Sequence, residues 1–108
     1  MLRIYGVMLE MVGRVAKIIE QVERRDASLA KQMREALASV ALNTAEGMGN
    51  IGGHKRQRYQ TALGSAREVM AGIDFAKAMR YIRDVDSVTL DHLDHVIATL
   101  VKLVGTRA

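Results

Sequence analysis

Four runs of apolar residues recur at three- and four-residue steps along this chain, and no proline interrupts any of them. Because 3.6 residues complete a helical turn, that spacing lays each run along one stripe of an α-helix. The apolar residues make up 49% of the sequence and are mostly Ala, Leu, Val, Ile and Met. Nothing but nine glycines breaks helices here, so the expected fold class is all-α.

The first helix is predicted over residues 4–24, with Ile4, Val7/Met8, Met11/Val12, Val15, Ile18/Ile19 and Val22 on its buried stripe. The polar cluster Glu23-Arg24-Arg25-Asp26 makes a turn, and Asp26 or Ser28 can cap a second helix over residues 28–46. Leu29, Met33, Ala36/Leu37, Val40 and Ala41/Thr44 form its inner face, and Gly47 is read as the left-handed cap that ends it. The glycine-rich link 48–53 is expected to be the most flexible stretch. A third helix then runs over 54–83, with Tyr59, Leu63, Ala66, Met70, Ile73, Ala76/Lys77 and Met79/Arg80 inward. Gly64, Ser65, Ala66, Ala71 and Gly72 form a small-residue strip on it. Two mid-helix glycines each cost roughly 1 kcal/mol against alanine, which implies close packing against a partner. Ser87 or Thr89 caps the fourth helix, which carries Leu90, Leu93, Val96/Ile97, Leu100 and Leu103/Val104 and stops at Gly105. Four helices on short links form one antiparallel up-and-down bundle, read as a single domain over residues 1–108.

Composition excludes several functions. With no cysteine there is no disulfide, thiolate metal site or cysteine nucleophile. Arg3, Glu10, Arg14 and Lys17 interrupt the apolar N-terminus at helical spacing, and no run reaches the length of a membrane span, so a cytoplasmic protein without membrane contact is expected. The glycines at 47–53 lack the Gly-Lys-Ser/Thr of a phosphate loop, and no G-x-S-x-G motif supports a serine hydrolase. His92 and His95 are spaced for one helix face, but no converging third ligand is evident, and neither Glu46 nor Glu68 has a histidine three residues on. The expectation is no metal, no cofactor and no catalytic residue.

Two stretches exceed what a bundle requires. Residues 32–47, QMREALASVALNTAEG, end in an amide and a carboxylate, Asn43 and Glu46, about one turn apart on one side of the helix. The start of the third helix is basic: residues 48–83 hold seven Lys/Arg against two Asp/Glu, which accounts for the net charge of +4. Lys55, Arg56 and Arg58 stand there, and Arg67 lies eleven residues beyond Arg56, close to three turns, hence on the same face.

Gln32, Ala36, Ser39, Asn43, Ala45, Glu46 and Gly47, followed by the basic start, Tyr59 and then Ala62-Leu63-Gly64-Ser65-Ala66-Arg67-Glu68, resemble the two signature blocks of a known family. It comprises small bacterial four-helix-bundle proteins related to those encoded in intervening sequences of 23S rRNA genes. The accessory variability determinant of diversity-generating retroelements is a sister branch. The blocks span residues 29–83, and an N-x-A-E-G ending with a downstream G-S-x-x-E is more specific than either alone. The chain departs from the pattern at Glu35, where a basic residue is usual, at Ala41, where a proline is, and in the added Ile51-Gly52-Gly53. What the resemblance implies is a bundle that assembles into a homopentamer, without known catalytic activity, and in the retroelement branch binding to nucleic acid and a reverse transcriptase.

In this light Asn43, Glu46, Ser65 and Glu68 read either as a polar pocket or as a structural hydrogen-bonded network joining the second helix to the third or to a neighbouring subunit. The network is the reading preferred. The function expected is a non-enzymatic oligomeric adaptor or scaffold that docks a protein partner. The alternative is nonspecific RNA or DNA binding through Lys55, Arg56, Arg58 and Arg67, salt-sensitive because it would rest on phosphates. With only four aromatic residues a base-stacking platform is not expected, and Tyr59 is assigned to the core.

Overall fold

The computed structural model describes residues 2–49 and 52–105. Four helices account for nearly all of them: α1 (Leu2–Glu23), α2 (Ala27–Gly49), α3 (Gly52–Ala78) and α4 (Ser87–Gly105). Each packs against its neighbours in sequence and α1 closes onto α4, with the most extensive contact between α2 and α3. The result is an up-and-down four-helix arrangement, 43 × 25 × 18 Å, its long axis set by the 27-residue α3.

The ends of the helices follow from local chemistry. The α1–α2 turn is closed by the Asp26 N–H donating to the Val22 carbonyl at 2.8 Å. Asp26 Oδ1 then accepts from the Leu29 N–H at 2.9 Å and so caps α2, one of the two caps anticipated. At α4 the cap is Asp86, not Ser87 or Thr89: its carboxylate accepts from the Thr89 N–H at 2.8 Å and from the Thr89 hydroxyl at 3.0 Å. The backbone bond, reinforced by the hydroxyl, holds the Asp86 carboxyl below its ordinary range.

α3 ends earlier than its pattern predicts. Arg80 takes a left-handed conformation, φ 63°, with its N–H donating to Lys77 O at 3.0 Å and the Tyr81 N–H to Ala76 O at 2.8 Å. This is the paired-bond geometry of a Schellman cap, and the apolar contact that accompanies it is present too, the Tyr81 ring lying edge-on to Phe75 at 6.4 Å. The cap position ordinarily taken by glycine is occupied by arginine, so no sequence signal marks it. Tyr81 also reaches the other turn: its hydroxyl donates to Asp26 Oδ2 at 3.2 Å, and Arg25 lies over its ring at 5.8 Å. Desolvation and that bond raise its pKa. One tyrosine thus ties the α1–α2 turn to the α3–α4 link.

The core is built from the stripes predicted for α1 and α2, led by Met8, Met11, Val15, Met33 and Val40. On α3 the line runs through Tyr59, Ala62, Ala66, Val69, Ile73 and Ala76, so Val69 replaces Met70, and Lys77, Met79 and Arg80 are exposed. Gly47 is not a cap. α2 continues through it to Gly49, and a Cβ at position 47 would lie 2.5 Å from Cε1 of the buried Tyr59 ring. Of the link expected over 48–53, residues 48–49 belong to α2 and 52–53 to α3, and residues 50 and 51 lie outside the described residues. Of the two mid-helix glycines, Gly72 faces Met33, whose Cγ would be 2.8 Å from an added Cβ, whereas Gly64 is exposed and faces nothing within 4 Å.

Gly47→Ala should cost about 1–3 kcal/mol, because the Tyr59 ring must move within a packed core. Gly64→Ala should instead stabilise by up to about 1 kcal/mol, since it only raises helix propensity. Urea unfolding of the two variants checks this; equal effects would contradict the assignment of Gly47 to close packing.

Candidate functional site

Climbing α2 toward its C-terminus and descending α3 toward its start, the two helices exchange polar side chains along one seam. Ser39 sits at its centre. Its hydroxyl accepts from Ser65 Oγ at 2.7 Å and from Asn43 Nδ2 at 3.1 Å, while the same amide donates to the Ser39 carbonyl at 3.0 Å. The amide oxygen of Asn43 accepts from Arg58 Nη1 at 3.3 Å, and Arg58 Nη2 lies 3.9 Å from Glu46 Oε1. The hydroxyls and the amide are half-buried. The Arg58–Glu46 pair, by contrast, is about half exposed at each end, where such a pair contributes little stability. Just inside lies Tyr59 against Gly47, its phenol pKa raised by desolvation. Thr44 Oγ1 is buried with no hydrogen-bond partner among the described residues.

The seam gathers Asn43, Glu46 and Ser65 but leaves Glu68 apart, exposed at the lip of a groove with Gln32 and Phe75. Ser39, which joins the two helices, belongs to the first signature block but not to the network expected from the sequence. Its signal was the four-residue step to Asn43, one helical turn.

The basic start of α3 does not present a single face. Arg58 turns toward α2. Lys55, half-buried, lines a cleft with residues of α1 and α4. Arg56 and Arg67 are exposed and in register with each other, and Asp74 follows seven residues on, nearly in line. His92 donates or accepts through Nδ1 at 2.8 Å from the Val88 carbonyl, and among the described residues no three His, Cys, Asp or Glu converge as metal ligands would. No described helix is long and apolar enough to cross a membrane.

Comparison with known proteins gives this arrangement a context. The family model described as 23S rRNA-intervening sequence protein matches residues 1–102. The chain belongs to the 23S rRNA-intervening sequence protein family. A crystal structure of a protein of unknown function from the S23 ribosomal protein family of Bacteroides thetaiotaomicron VPI-5482 superposes with a TM-score of 0.84 at 16% identity, covering 95% of this chain and 99% of that one. At that identity the likeness establishes the shared helical fold. No curated protein matches. In this member of the 23S rRNA-intervening sequence protein family α2 runs unbroken through Ala41, and Glu35 is exposed on the same helix.

Because the Ser39 hydroxyl serves both Asn43 and Ser65, Ser39→Ala should destabilise by about 1–2 kcal/mol, more than Ser65→Ala. The double variant should cost less than the sum, as the partner left unbonded by each single change is gone. Chemical denaturation of all three checks the coupling.

Proposed function

We infer that this chain is a non-enzymatic, single-domain subunit of a homo-oligomer, an adaptor whose assembled bundles dock a protein partner. The observation that carries the reading is the outer face of α1 and α2. A groove of about 370 Å³ runs between them, floored by Val12, Ala16, Ala38 and Ala41, with Glu20 and Arg34 at its rim. By helical register Leu9 and Leu42 extend it, and they are 46% and 67% exposed. A leucine two-thirds in water beside a small-residue groove is the composition of a surface that another helix covers. Rim groups of both signs suit pairing with a further copy. Family membership favours the homopentamer that the sequence resemblance implies. The non-catalytic reading draws on the seam, where the Ser39 and Ser65 hydroxyls bond each other and an amide instead of a base.

A second reading, binding of RNA or DNA, is favoured by one observation: Arg56 and Arg67 are exposed on a shared face of the most basic segment, and a ring of copies would repeat that face about its axis. Against it, Arg58 is already engaged with Asn43 and Glu46.

Light scattering should give a mass about five times the 11.9 kDa chain, falling toward one chain in Leu9→Glu/Leu42→Glu with helicity retained. A wild-type monomer at all concentrations would overturn the reading. Titration with labelled RNA and DNA at low salt decides the second: affinity that collapses with salt and in Arg56→Ala/Arg67→Ala supports it, and no binding at low salt removes it.

A further inference from the structure

At the end of the bundle where α1 and α3 begin, a cleft of about 410 Å³ opens between α1, α3 and the last turns of α4. That volume lies within the range of small-molecule sites. Its floor is apolar, made by Ile4, Val7, Leu103 and the buried ring of Tyr59. Its charged lining is of one sign: Arg3 and Lys55 stand around it with His95, and among the described residues no carboxylate does. Thr99 completes the wall with its hydroxyl already donated to the His95 carbonyl at 2.8 Å.

Two features of these cations point to a ligand. Arg3 and Lys55 occupy the first turns of α1 and α3, where the helix dipole disfavours positive charge. Neither they nor His95 make an ion pair among the described residues. Most surface cations of the described chain share that lack of an ion pair, so what sets these apart is their place around one concave apolar floor. Two helix-start cations with no ion pair among the described residues, beside a concave apolar floor, are complementary to one kind of molecule. Its anionic head would neutralise Arg3 and Lys55, and its hydrocarbon body would displace water from Ile4, Val7 and Leu103.

We propose that this cleft binds a small amphipathic anion, head group between Arg3, Lys55 and His95 and apolar body on the floor. The site is separate from the Arg56–Arg67 face and from the α1–α2 groove, so it stands whichever functional reading holds.

Titration of the full chain with octanoate, octyl phosphate and octanol, followed by calorimetry and by amide NMR, tests it. The two anions should bind saturably and shift the amide signals of Val7, Tyr59, Thr99 and Leu103; which of them binds tighter identifies the head as carboxylate or phosphate. Octanol should bind about tenfold more weakly or worse. Arg3→Gln/Lys55→Gln, at positions outside the packed core, should weaken both anions by about tenfold with octanol affinity and thermal unfolding unchanged. Thr99→Glu, which sets a carboxylate in the wall, should abolish anion binding. Shifts confined to other residues, no saturable binding, or equal affinity for octanol and octanoate would each overturn the proposal.

Discussion

A methyl group at position 47 would stand 2.5 Å from the Tyr59 ring, so α2 and α3 keep their separation only because glycine is there. That separation sets what lies on either side. Toward the middle of the bundle it brings Ser39 and Ser65 within 2.7 Å, and farther along it seats Met33 over Gly72. Toward the start of α3 it lets Arg58 reach both Asn43 and Glu46. The polar box ending α2 is therefore the visible edge of a packing arrangement whose centre is a missing side chain. The polar bonds add specificity of register, since a slip of one turn would leave half-buried hydroxyls without partners.

The number of helices, their order and most of their buried positions were legible because apolar spacing is a direct image of burial on a helix. Legibility failed where one residue type serves two ends. Glycine after a polar box signals a helix stop and also a close approach, and at Gly47 the second applies. At the end of α3 the opposite holds: Arg80 takes the left-handed position without a glycine to advertise it, so the apolar pattern runs five residues past the helix, from Ala78 to Arg83. At the start of α4 a run of Asp, Ser and Thr offers several equivalent capping oxygens, of which Asp86 supplies the one used. Only backbone geometry selects among them.

The basic start of α3 shows the same limit in functional terms. Four cations close in sequence suggested one surface, yet successive residues of a helix point about 100° apart. Arg58 joins the α2 seam, Lys55 enters the cleft beside Arg3, and Arg56 with Arg67 faces solvent. Charge excess is readable from composition, whereas its division among three surfaces depends on which neighbours each turn meets. The apolar groove between α1 and α2 was hidden for a similar reason. Ala38, Ala41 and Leu42 look like ordinary helix-formers until exposure singles out Leu42.

If the α2–α3 seam organises the fold, its backbone should be the last to open. Native-state hydrogen exchange measures this residue by residue. The slowest amides should cluster around Val40 to Gly47 on α2 and Ala62 to Val69 on α3, exchanging only with global unfolding, while those of α4 exchange through smaller openings. Slowest exchange in α1 and α4, with the seam opening independently, would contradict the account.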